Sequence, residues 1–221
     1  RNVEYVIGRN NYPLREKLPS VYNADEIRRI ENTVEQSSAV GKRDYAMLLL
    51  ATRLGLRSSD IAGLTFGNLD WGHNLISLVQ CKTKKIIELP LLADVGEAII
   101  NYLKYGRPIS GFQQVFLTAS APYRPVNSMI ISGAVSRTIK ASGVDIKGRK
   151  FGPHAMRHTL ASQLLRNGTS LPVISETLGH SDTQVTMNYL RIDINSLMQC
   201  ALDVPLVSIN FYEQKGGVFY G

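Results

Sequence analysis

The residues best suited to chemistry lie in the second half of the chain. Positions 154–158 read His-Ala-Met-Arg-His, a further histidine stands at position 180, and Tyr189 lies nine residues beyond it. Arginine forks bind phosphate oxygens, histidine exchanges protons near neutral pH, and an activated phenol can act as a nucleophile. Together these residue types predict a site that binds and attacks a phosphodiester.

The spacing of these residues indicates how they are presented. His154 and Arg157 are predicted to share one helix face, because residues three apart lie about one turn apart. Pro153 suits the first turn of that helix, so His154 is expected near a helix N-terminus, where anions are favoured. His158 is predicted to be a structural histidine that is hydrogen-bonded in the core. His180 is expected in a turn between helices, where the backbone positions it.

The first half of the chain supplies further candidates. Arg57 is expected where a buried helix ends and a new one begins, and Asp60, one turn on, can orient its guanidinium. Lys82, Lys84 and Lys85 lie in or beside a predicted hairpin turn. A lysine among cations has a lowered pKa and can act as the general acid to a leaving oxygen. Each residue alone more often has a surface or structural role, so the prediction depends on the set.

The elements that must position these residues make the chain mainly α with a small antiparallel β-hairpin (α+β). Strand-like runs at 75–80 and 85–89, joined by a link of hairpin length, predict the β part. Asn23, with Glu26 three residues on, matches a capping box for the first helix, and a serine of the pair 58–59 is expected to cap a short helix. Further helices are predicted at about 41–54, 92–105, 126–142, 153–167, 170–178 and 183–190.

Composition restricts the class of protein. The chain has 221 residues, of which 44% are hydrophobic, and this suits one globular domain with appendages. The net charge of +7 favours a polyanionic partner, nucleic acid first. We expect no membrane span and no signal peptide. Cys81 and Cys200 predict neither a disulfide framework nor a metal site, so a reducing cytoplasm is the expected compartment.

Six of these positions, in this order and spacing, resemble the catalytic domain of the tyrosine recombinases, the family of phage integrases and Xer-type site-specific recombinases. The resemblance covers about residues 20–190. Residues 52–61 resemble the first arginine box of the family, and its hairpin lysine corresponds to Lys82, counted back from residues 89–91. The other matches are the His-x-x-Arg box at 154–157, the Leu-Gly-His box at 178–180 and Tyr189.

The resemblance implies a strand transfer on DNA that uses neither a metal nor another cofactor. Tyr189 would attack the scissile phosphate, form a 3′-phosphotyrosine and free a 5′-hydroxyl. Arg57, Arg157 and His180 would hold the transition state, which is a preorganised electrostatic role.

The remaining candidates receive supporting tasks from the same resemblance. His154 would be a supporting acid or base, and Lys82 the general acid to the leaving 5′-oxygen. Asp60 and His158 would support the residues that touch the phosphate. Since the bond energy stays in the covalent link, a 5′-hydroxyl of another strand can reverse the reaction without ATP.

The implied partner is double-stranded DNA, on which the full-length protein is expected to act as a homotetramer at paired sites. Residues 1–20 are expected to be an extended N-terminal segment or linker, 21–192 the catalytic domain, and 193–221 a C-terminal tail. The apolar run 204–211 is a candidate for docking onto a neighbouring protomer. Family members usually carry an upstream helical domain that completes a clamp around DNA. We therefore expect this chain to be a fragment that binds DNA weakly by itself.

Three other functions are compatible with single features of the sequence. Type IB topoisomerases and telomere resolvases use a similar residue set, and relaxation of supercoiled DNA without recombination sites would favour that class. A DNA-binding or directionality module could keep the fold without chemistry, and a basic helical domain could use the motif residues structurally. The complete residue set and its spacing favour a recombinase, acting in phage integration, transposon movement or chromosome-dimer resolution.

Overall fold

A computed structural model describes residues 20–179, in which α-helices and a small sheet pack around a main hydrophobic core. The helices are α1 (Ala24–Asn32), α2 (Ala39–Arg53), α3 (Ser58–Gly63), α4 (Ala93–Tyr105), α5 (Ser128–Ala141), α6 (Pro153–Arg166) and α7 (Leu171–Leu178). The strands are β1 (Leu69–Asp70), β2 (Leu75–Val79) and β3 (Ile86–Pro90), preceded by a 3₁₀ turn at Phe66–Asn68. The predicted class, mainly α with a small antiparallel β part, is confirmed.

The first helix begins where the sequence predicts. The Glu26 amide donates to Asn23 Oδ1 at 2.8 Å, and the Asn23 amide donates to Glu26 Oε2 at 2.8 Å, which completes the capping box. Ile30 is fully buried, and Ile27 packs against the core. These contacts are local, so a short sequence pattern specifies them.

α2 runs through the centre of the fold. Its residues from Ala46 to Ala51 are buried, and the helix packs against α4, α5 and α6. Burial of one aliphatic side chain contributes about 1.5–3 kcal/mol, so this apolar run stabilises the domain strongly. The helix ends at Arg53, and Gly55 follows with a left-handed φ of 61°. This conformation, which favours glycine, turns the chain towards α3.

The sheet presents the hairpin that carries Lys82. β2 pairs antiparallel with β3, from Leu75 opposite Pro90 to Val79 opposite Ile86. β1 pairs with the other edge of β2 and is not predicted from the sequence, because two residues show no readable alternation. The side chains of β2 alternate between solvent and core, so every second residue of the strand faces the protein interior.

The predicted cap of α3 is wrong. Ser58 and Ser59 both lie inside the helix, and Arg57 occupies the N-cap position without a side-chain cap hydrogen bond. The backbone of Arg57 is extended, with φ of −71° and ψ of 149°, and its carbonyl accepts the amides of Asp60 and Ile61. The Arg57 side chain donates its hydrogen bonds outside this helix, to Gln80 and to the Gly179 carbonyl.

The loop before α6 is anchored to the chain that leads into α1. Arg149 donates to the two carboxylate oxygens of Glu26 at 2.7 and 3.0 Å, and its guanidinium lies 3.9 Å from the centre of the Tyr22 ring. The Tyr22 hydroxyl donates to the Lys150 carbonyl at 3.0 Å, and the Tyr22 amide donates to Thr159 Oγ1 at 3.0 Å. These contacts hold α6 and the loop before it against the chain segment that leads into α1.

α7 packs on α6 through a second, smaller cluster of buried side chains, formed by Ala161, Ile174 and Leu178. The helix ends at Leu178, and Gly179 follows with φ of 61° and ψ of 48°. Gly168, which follows α6, has φ of 82°. The two glycines thus lie at helix ends, as predicted, and the end of α7 is held against α6.

Several predictions lie outside the described residues. They concern the N-terminal segment up to residue 19, the helix at 183–190, the apolar run at 204–211 and the domain boundary at 192. None of the helices between residues 20 and 179 is long and apolar enough to cross a membrane.

Candidate active site

Arg57 projects from the start of α3 towards two distant parts of the chain. Its Nη1 donates to Gln80 Oε1 at 2.6 Å, and its Nη2 donates to the Gly179 carbonyl at 3.4 Å. The Arg57 side chain is 19% exposed. The guanidinium is therefore held by a strand end and a helix end while part of it still reaches solvent.

Asp60 lies one turn after Arg57, with Oδ2 at 3.8 Å from Arg57 Nη1. Its side chain is buried, and Oδ1 accepts the amide of Cys81 at 2.8 Å. A buried carboxylate needs such partners, because desolvation of the charge is costly. Asp60 thus ties α3 to the hairpin turn. The predicted proximity to Arg57 is confirmed, and its task in a reaction stays a prediction.

Arg157, on α6, is only 3% exposed. Its Nη1 donates to the Gly55 carbonyl at 2.9 Å, and its Nη2 donates to the Leu178 carbonyl. Carbonyl partners offset part of the cost of removing a guanidinium from water. A Cβ at Gly55 would lie 3.0 Å from the Leu160 side chain, so glycine allows this close approach between the end of α2 and α6.

The two arginines meet at the carboxyl end of α7. Arg157 donates to the carbonyl of Leu178, and Arg57 donates to that of Gly179. The carbonyl end of a helix carries partial negative charge and favours cations. His180 is the next residue in the chain, although its own placement lies outside the described range. The arrangement anchors the peptide that leads into this predicted histidine.

Gln80 is a member of the site that no sequence motif marks. It follows β2 and is fully buried. Its Oε1 accepts from Arg57 Nη1 and from Thr83 Oγ1 at 2.7 Å, and its Nε2 donates to the Leu178 carbonyl at 3.0 Å. One signal in the sequence could have found it: the two-residue period of β2 places position 80 on the buried face, where a polar side chain needs partners.

His154 and His158 are in contact on α6. Their Nε2 atoms lie 2.9 Å apart, and their ring centres lie 4.2 Å apart with the planes at 73°. His154 is exposed and His158 half-buried. The four-residue spacing places half-buried His158 beside the exposed His154, and its expected structural role stays a prediction. Burial, followed by the charges of His154 and Arg157, lowers the pKa of His158 to about 4.

The pKa of His154 is also lowered. Partial burial is the main cause, and the positive charge of Arg157 comes next. Lys150, Lys82 and Arg57 lower the pKa further, in that order. An imidazole with a lowered pKa is neutral near pH 7 and can accept a proton.

Lys82 lies exposed in the turn between β2 and β3. Its positive charge is one of those that lower the pKa of His154, which lies near the start of α6. Lys84, in the same turn, has a φ of 57°, a conformation that is uncommon for a lysine. Lys150, in the loop before α6, adds a cation that no sequence motif marks.

The described residues therefore form a cationic site. The cations that act on neutral His154 are Arg57, Lys82, Lys150 and Arg157. Such a group suits an anion of the size of a phosphate. His180 and Tyr189 lie outside the described residues, so their place in the site stays a prediction. Within residues 20–179, no group of three or more His, Cys, Asp or Glu side chains is arranged to hold a metal ion.

Sequence comparison identifies the family. The profile of the phage integrase family matches residues 21–195, which is most of the chain. The chain therefore belongs to the phage integrase family.

Individual relatives agree with this assignment. The inferred integrase/recombinase y4gC of Sinorhizobium fredii is 34% identical over 189 residues, which cover 85% of this chain and 97% of y4gC. The inferred integrase/recombinase y4rA of the same organism is 39% identical over 189 residues, or 85% of this chain and 45% of y4rA. The tyrosine recombinase XerC of Pseudomonas aeruginosa is 30% identical over 187 residues, or 82% of this chain and 58% of XerC. The chain thus spans about half the length of y4rA and XerC.

Solved structures share the fold. The XerA recombinase superposes with a TM-score of 0.69 at 22% identity, covering 85% of this chain and 64% of XerA. The XerH site-specific recombinase, bound to its palindromic difH substrate after cleavage, superposes with a TM-score of 0.71 at 21% identity, covering 83% of this chain and 53% of XerH. The fold is that of a tyrosine recombinase catalytic domain.

Proposed function

We propose that the chain is the catalytic domain of a site-specific DNA recombinase or integrase that cuts and rejoins strands through a phosphotyrosine link. The observation that carries this proposal is the convergence of Arg57 and Arg157, from two different helices, on the carboxyl end of α7. A neutral histidine, His154, lies under the influence of both. Family membership supports the same reaction.

The two arginines would hold the scissile phosphate. A guanidinium presents forked N–H donors that match the non-bridging oxygens. Arg57 and Arg157 are already oriented by hydrogen bonds to Gln80 and to backbone carbonyls. Little reorganisation is then needed as negative charge develops in the transition state. His180 would add a further donor, from the position directly after the anchored Gly179.

Tyr189 would attack the phosphorus and become joined to the 3′ end of the broken strand. The reference pKa of a phenol is about 10, so at neutral pH the hydroxyl needs a proton acceptor or cations that favour the phenolate. His154, which is neutral near pH 7 because its pKa is lowered, would take this proton.

Lys82 would protonate the leaving 5′-oxygen. An alkoxide is a poor leaving group, so breaking this bond needs a general acid. Lys82 lies exposed on the hairpin turn, and the positive charge of its ammonium is one of those that lower the pKa of His154. The phosphodiester energy stays in the link to Tyr189. A 5′-hydroxyl of the same or another strand can attack that link, which releases the tyrosine and rejoins DNA without ATP.

The substrate would be double-stranded DNA, and the reaction would take place in the cytoplasm, where that DNA is. Solved relatives support this substrate, since XerH was solved with difH, the Tn1549 transposon integrase with circular intermediate DNA, and a lambda integrase dimer with a core site. The catalytic domain would comprise residues 21–192, and residues 1–20 would link it to a DNA-clamping domain. The tail 193–221 would dock on a neighbouring protomer in a tetramer on paired sites.

A nicked suicide substrate tests the proposal. Such DNA loses a short fragment when it is cut, so the covalent protein–DNA adduct accumulates and survives denaturation. The DNA would be taken from the sequence on either side of the native gene. The protein would be expressed together with any coding sequence that adjoins these residues in that gene. We expect wild type to form the adduct and Tyr189→Phe to form none.

Tyr105→Phe is the matched control, because Tyr105 is an exposed tyrosine of α4, and this variant should cut like wild type. An adduct that persists in Tyr189→Phe would contradict the assignment of the nucleophile. Wild-type protein that binds this DNA and forms no adduct would contradict the proposed activity.

A further inference from the structure

Gln80 joins three parts of the site that lie far apart in the chain. We infer that Gln80 is a positioning residue, which holds the Arg57 guanidinium in its reactive orientation against the end of α7. The inference rests on the proposed function, since it assigns to Gln80 a task in the same strand cleavage. It concerns a residue that acts through Arg57 and does not itself touch the phosphate.

The hydrogen bonds of the Gln80 amide join three separate parts of the site. A buried amide must satisfy both its oxygen and its nitrogen within the protein. The Oε1 atom accepts from Arg57 Nη1 at 2.6 Å and from Thr83 Oγ1 at 2.7 Å. The Nε2 atom donates to the Leu178 carbonyl at 3.0 Å, which also accepts from Arg157. The amide therefore connects α3, the hairpin turn and the end of α7.

An amide has an advantage over a carboxylate at this position. The neutral oxygen of Gln80 orients Arg57 without cancelling its charge, whereas a carboxylate at 2.6 Å would form an ion pair with the guanidinium. Asp60 already forms an ion pair with Arg57 at 3.8 Å, so a second carboxylate at position 80 would cancel the positive charge that remains on Arg57. Arg57 therefore keeps positive charge for a phosphate while its rotation is restricted.

The Gln80 side chain lies so close to the end of α7 that a movement of one would displace the other. A Cβ built on Gly179 would lie only 2.3 Å from Gln80 Oε1 and 2.6 Å from Nε2. The Gln80 amide thus packs directly against the residue that precedes His180. Any shift of Gln80 would move Arg57 relative to this helix end, and misplacement of a catalytic group by about 1 Å can reduce a rate by about 100-fold.

Gln80→Leu tests the inference on the full-length protein. Leucine is of similar size and makes none of the three hydrogen bonds. We expect the rate of adduct formation on a suicide substrate to fall about 10- to 100-fold, as for supporting residues of other sites, with DNA affinity near that of wild type. Thr83→Val is the matched control, because it removes only the hairpin contact, and its rate should stay close to wild type.

A methylphosphonate substrate separates positioning of Arg57 from a general structural role. Replacing one non-bridging oxygen of the scissile phosphate by methyl removes the charge that Arg57 would neutralise. The rate loss of Gln80→Leu should then shrink to a few-fold relative to wild type on the same substrate. Gln80→Glu provides a second variant if leucine prevents folding. Its carboxylate would neutralise Arg57, so it should be slow on phosphate and recover on methylphosphonate in the same way.

Two results would overturn the inference: wild-type rates for the Gln80 variants that fold, or an equal loss on the phosphate and methylphosphonate substrates. A loss in Thr83→Val as large as that in Gln80→Leu would also overturn it, since the hairpin rather than Arg57 would then be responsible. Absence of a Tyr189-dependent adduct in wild type would instead contradict the proposed function, so the two failures are distinct.

Discussion

Arg57 and Arg157 are both proposed to bind the scissile phosphate, but the surroundings of their side chains differ. Arg157 is almost entirely buried, and its guanidinium donates to the carbonyls of Gly55 and Leu178. Arg57 is partly exposed, and one of its partners is the side chain of Gln80. A buried carbonyl that loses its hydrogen-bond donor lowers the free energy of unfolding. Arg157 therefore has a structural role in addition to its proposed chemical role.

We expect Arg157→Ala to lower stability and activity together, and Arg57→Lys, which keeps a positive charge beside buried Asp60, to lower activity alone. The first change should cost about 2–4 kcal/mol in free energy of unfolding, because it leaves a cavity and a carbonyl without this donor. The second should cost at most about 1 kcal/mol, since lysine keeps a positive charge beside buried Asp60 and the side chain at position 57 reaches solvent. Urea unfolding and the adduct assay measure both effects. Arg137→Ala, at an exposed position, serves as the control, and equal stability losses in the two site variants would contradict this division.

The histidine pair makes stability depend on pH. Folding lowers the pKa of His158 from 6.5 to about 4, chiefly through burial. Between these two values the unfolded chain binds more protons than the native chain, so the contribution of His158 is unfavourable there. Stability should therefore fall as the pH falls from 6.5 towards 4, and His158 should have no effect on the slope above 6.5.

His158→Gln should remove most of this slope. The stability advantage of wild type over the variant should decrease by about 2 kcal/mol between pH 7 and pH 4.5, as urea unfolding at both values would measure. His154, which is in contact with His158, titrates with it, so the loss belongs to the pair. A constant difference between the two proteins over this range would contradict a lowered pKa of His158.

At the scale of elements, the end of α7 is the junction of the site. Two glycines allow a matched test, because Gly179 and Gly168 both follow helices and both have positive φ, 61° and 82°. Alanine should therefore cost about 1–2 kcal/mol of strain at either position. Only at position 179 would the new Cβ meet a neighbour, since it would overlap the Gln80 amide, whereas nothing lies within 4 Å at position 168.

We accordingly expect backbone strain to lower the free energy of unfolding by similar amounts in Gly179→Ala and Gly168→Ala. The two variants should differ in activity. Gly179→Ala should slow adduct formation by about 10-fold or more, because displacement of Gln80 releases Arg57. Gly168→Ala should cut DNA at nearly the wild-type rate when measured well below its unfolding temperature. Equal rates in the two variants would contradict the proposed junction.

Features that residues close in the chain specify were largely predictable, whereas contacts between distant residues were not. The capping box of α1 and the hairpin of β2 and β3 follow from residues that are close in the chain. The cap of α3 was predicted wrongly, because a serine beside a helix start is a frequent cap but the backbone of Arg57 already takes that position. The role of Gln80 depends on partners 23 and 98 residues away, which no local pattern specifies.

At the scale of the whole molecule, charge governs the proposed contact with DNA. The chain carries a net charge of +7, and exposed Lys82 is one of the cations that act on the site. Binding to DNA releases counterions, so the logarithm of the association constant falls linearly with the logarithm of the salt concentration. The slope is about −0.9 for each phosphate that the protein neutralises.

Lys82→Ala should therefore make this slope shallower by about 1, whereas Arg28→Ala should leave it unchanged, because Arg28 is ion-paired with Asp25 in α1. Fluorescence anisotropy on one DNA duplex between about 50 and 200 mM salt measures both slopes. An unchanged slope in Lys82→Ala would show that the hairpin lysine does not contact the backbone of DNA.

The amino-acid sequence specifies which chemical groups are available and how neighbouring residues present them. The order of the motif residues predicts the family, and the three-residue spacing of His154 and Arg157 places them one turn apart on α6 because helical geometry is local. The tertiary structure alone decided that Arg57 and Arg157 meet at the end of α7 with Gln80 between the hairpin and that end. Contacts between residues 23 to 122 positions apart depend on how the buried faces of helices and strands pack, and the sequence pattern of one element does not contain that packing.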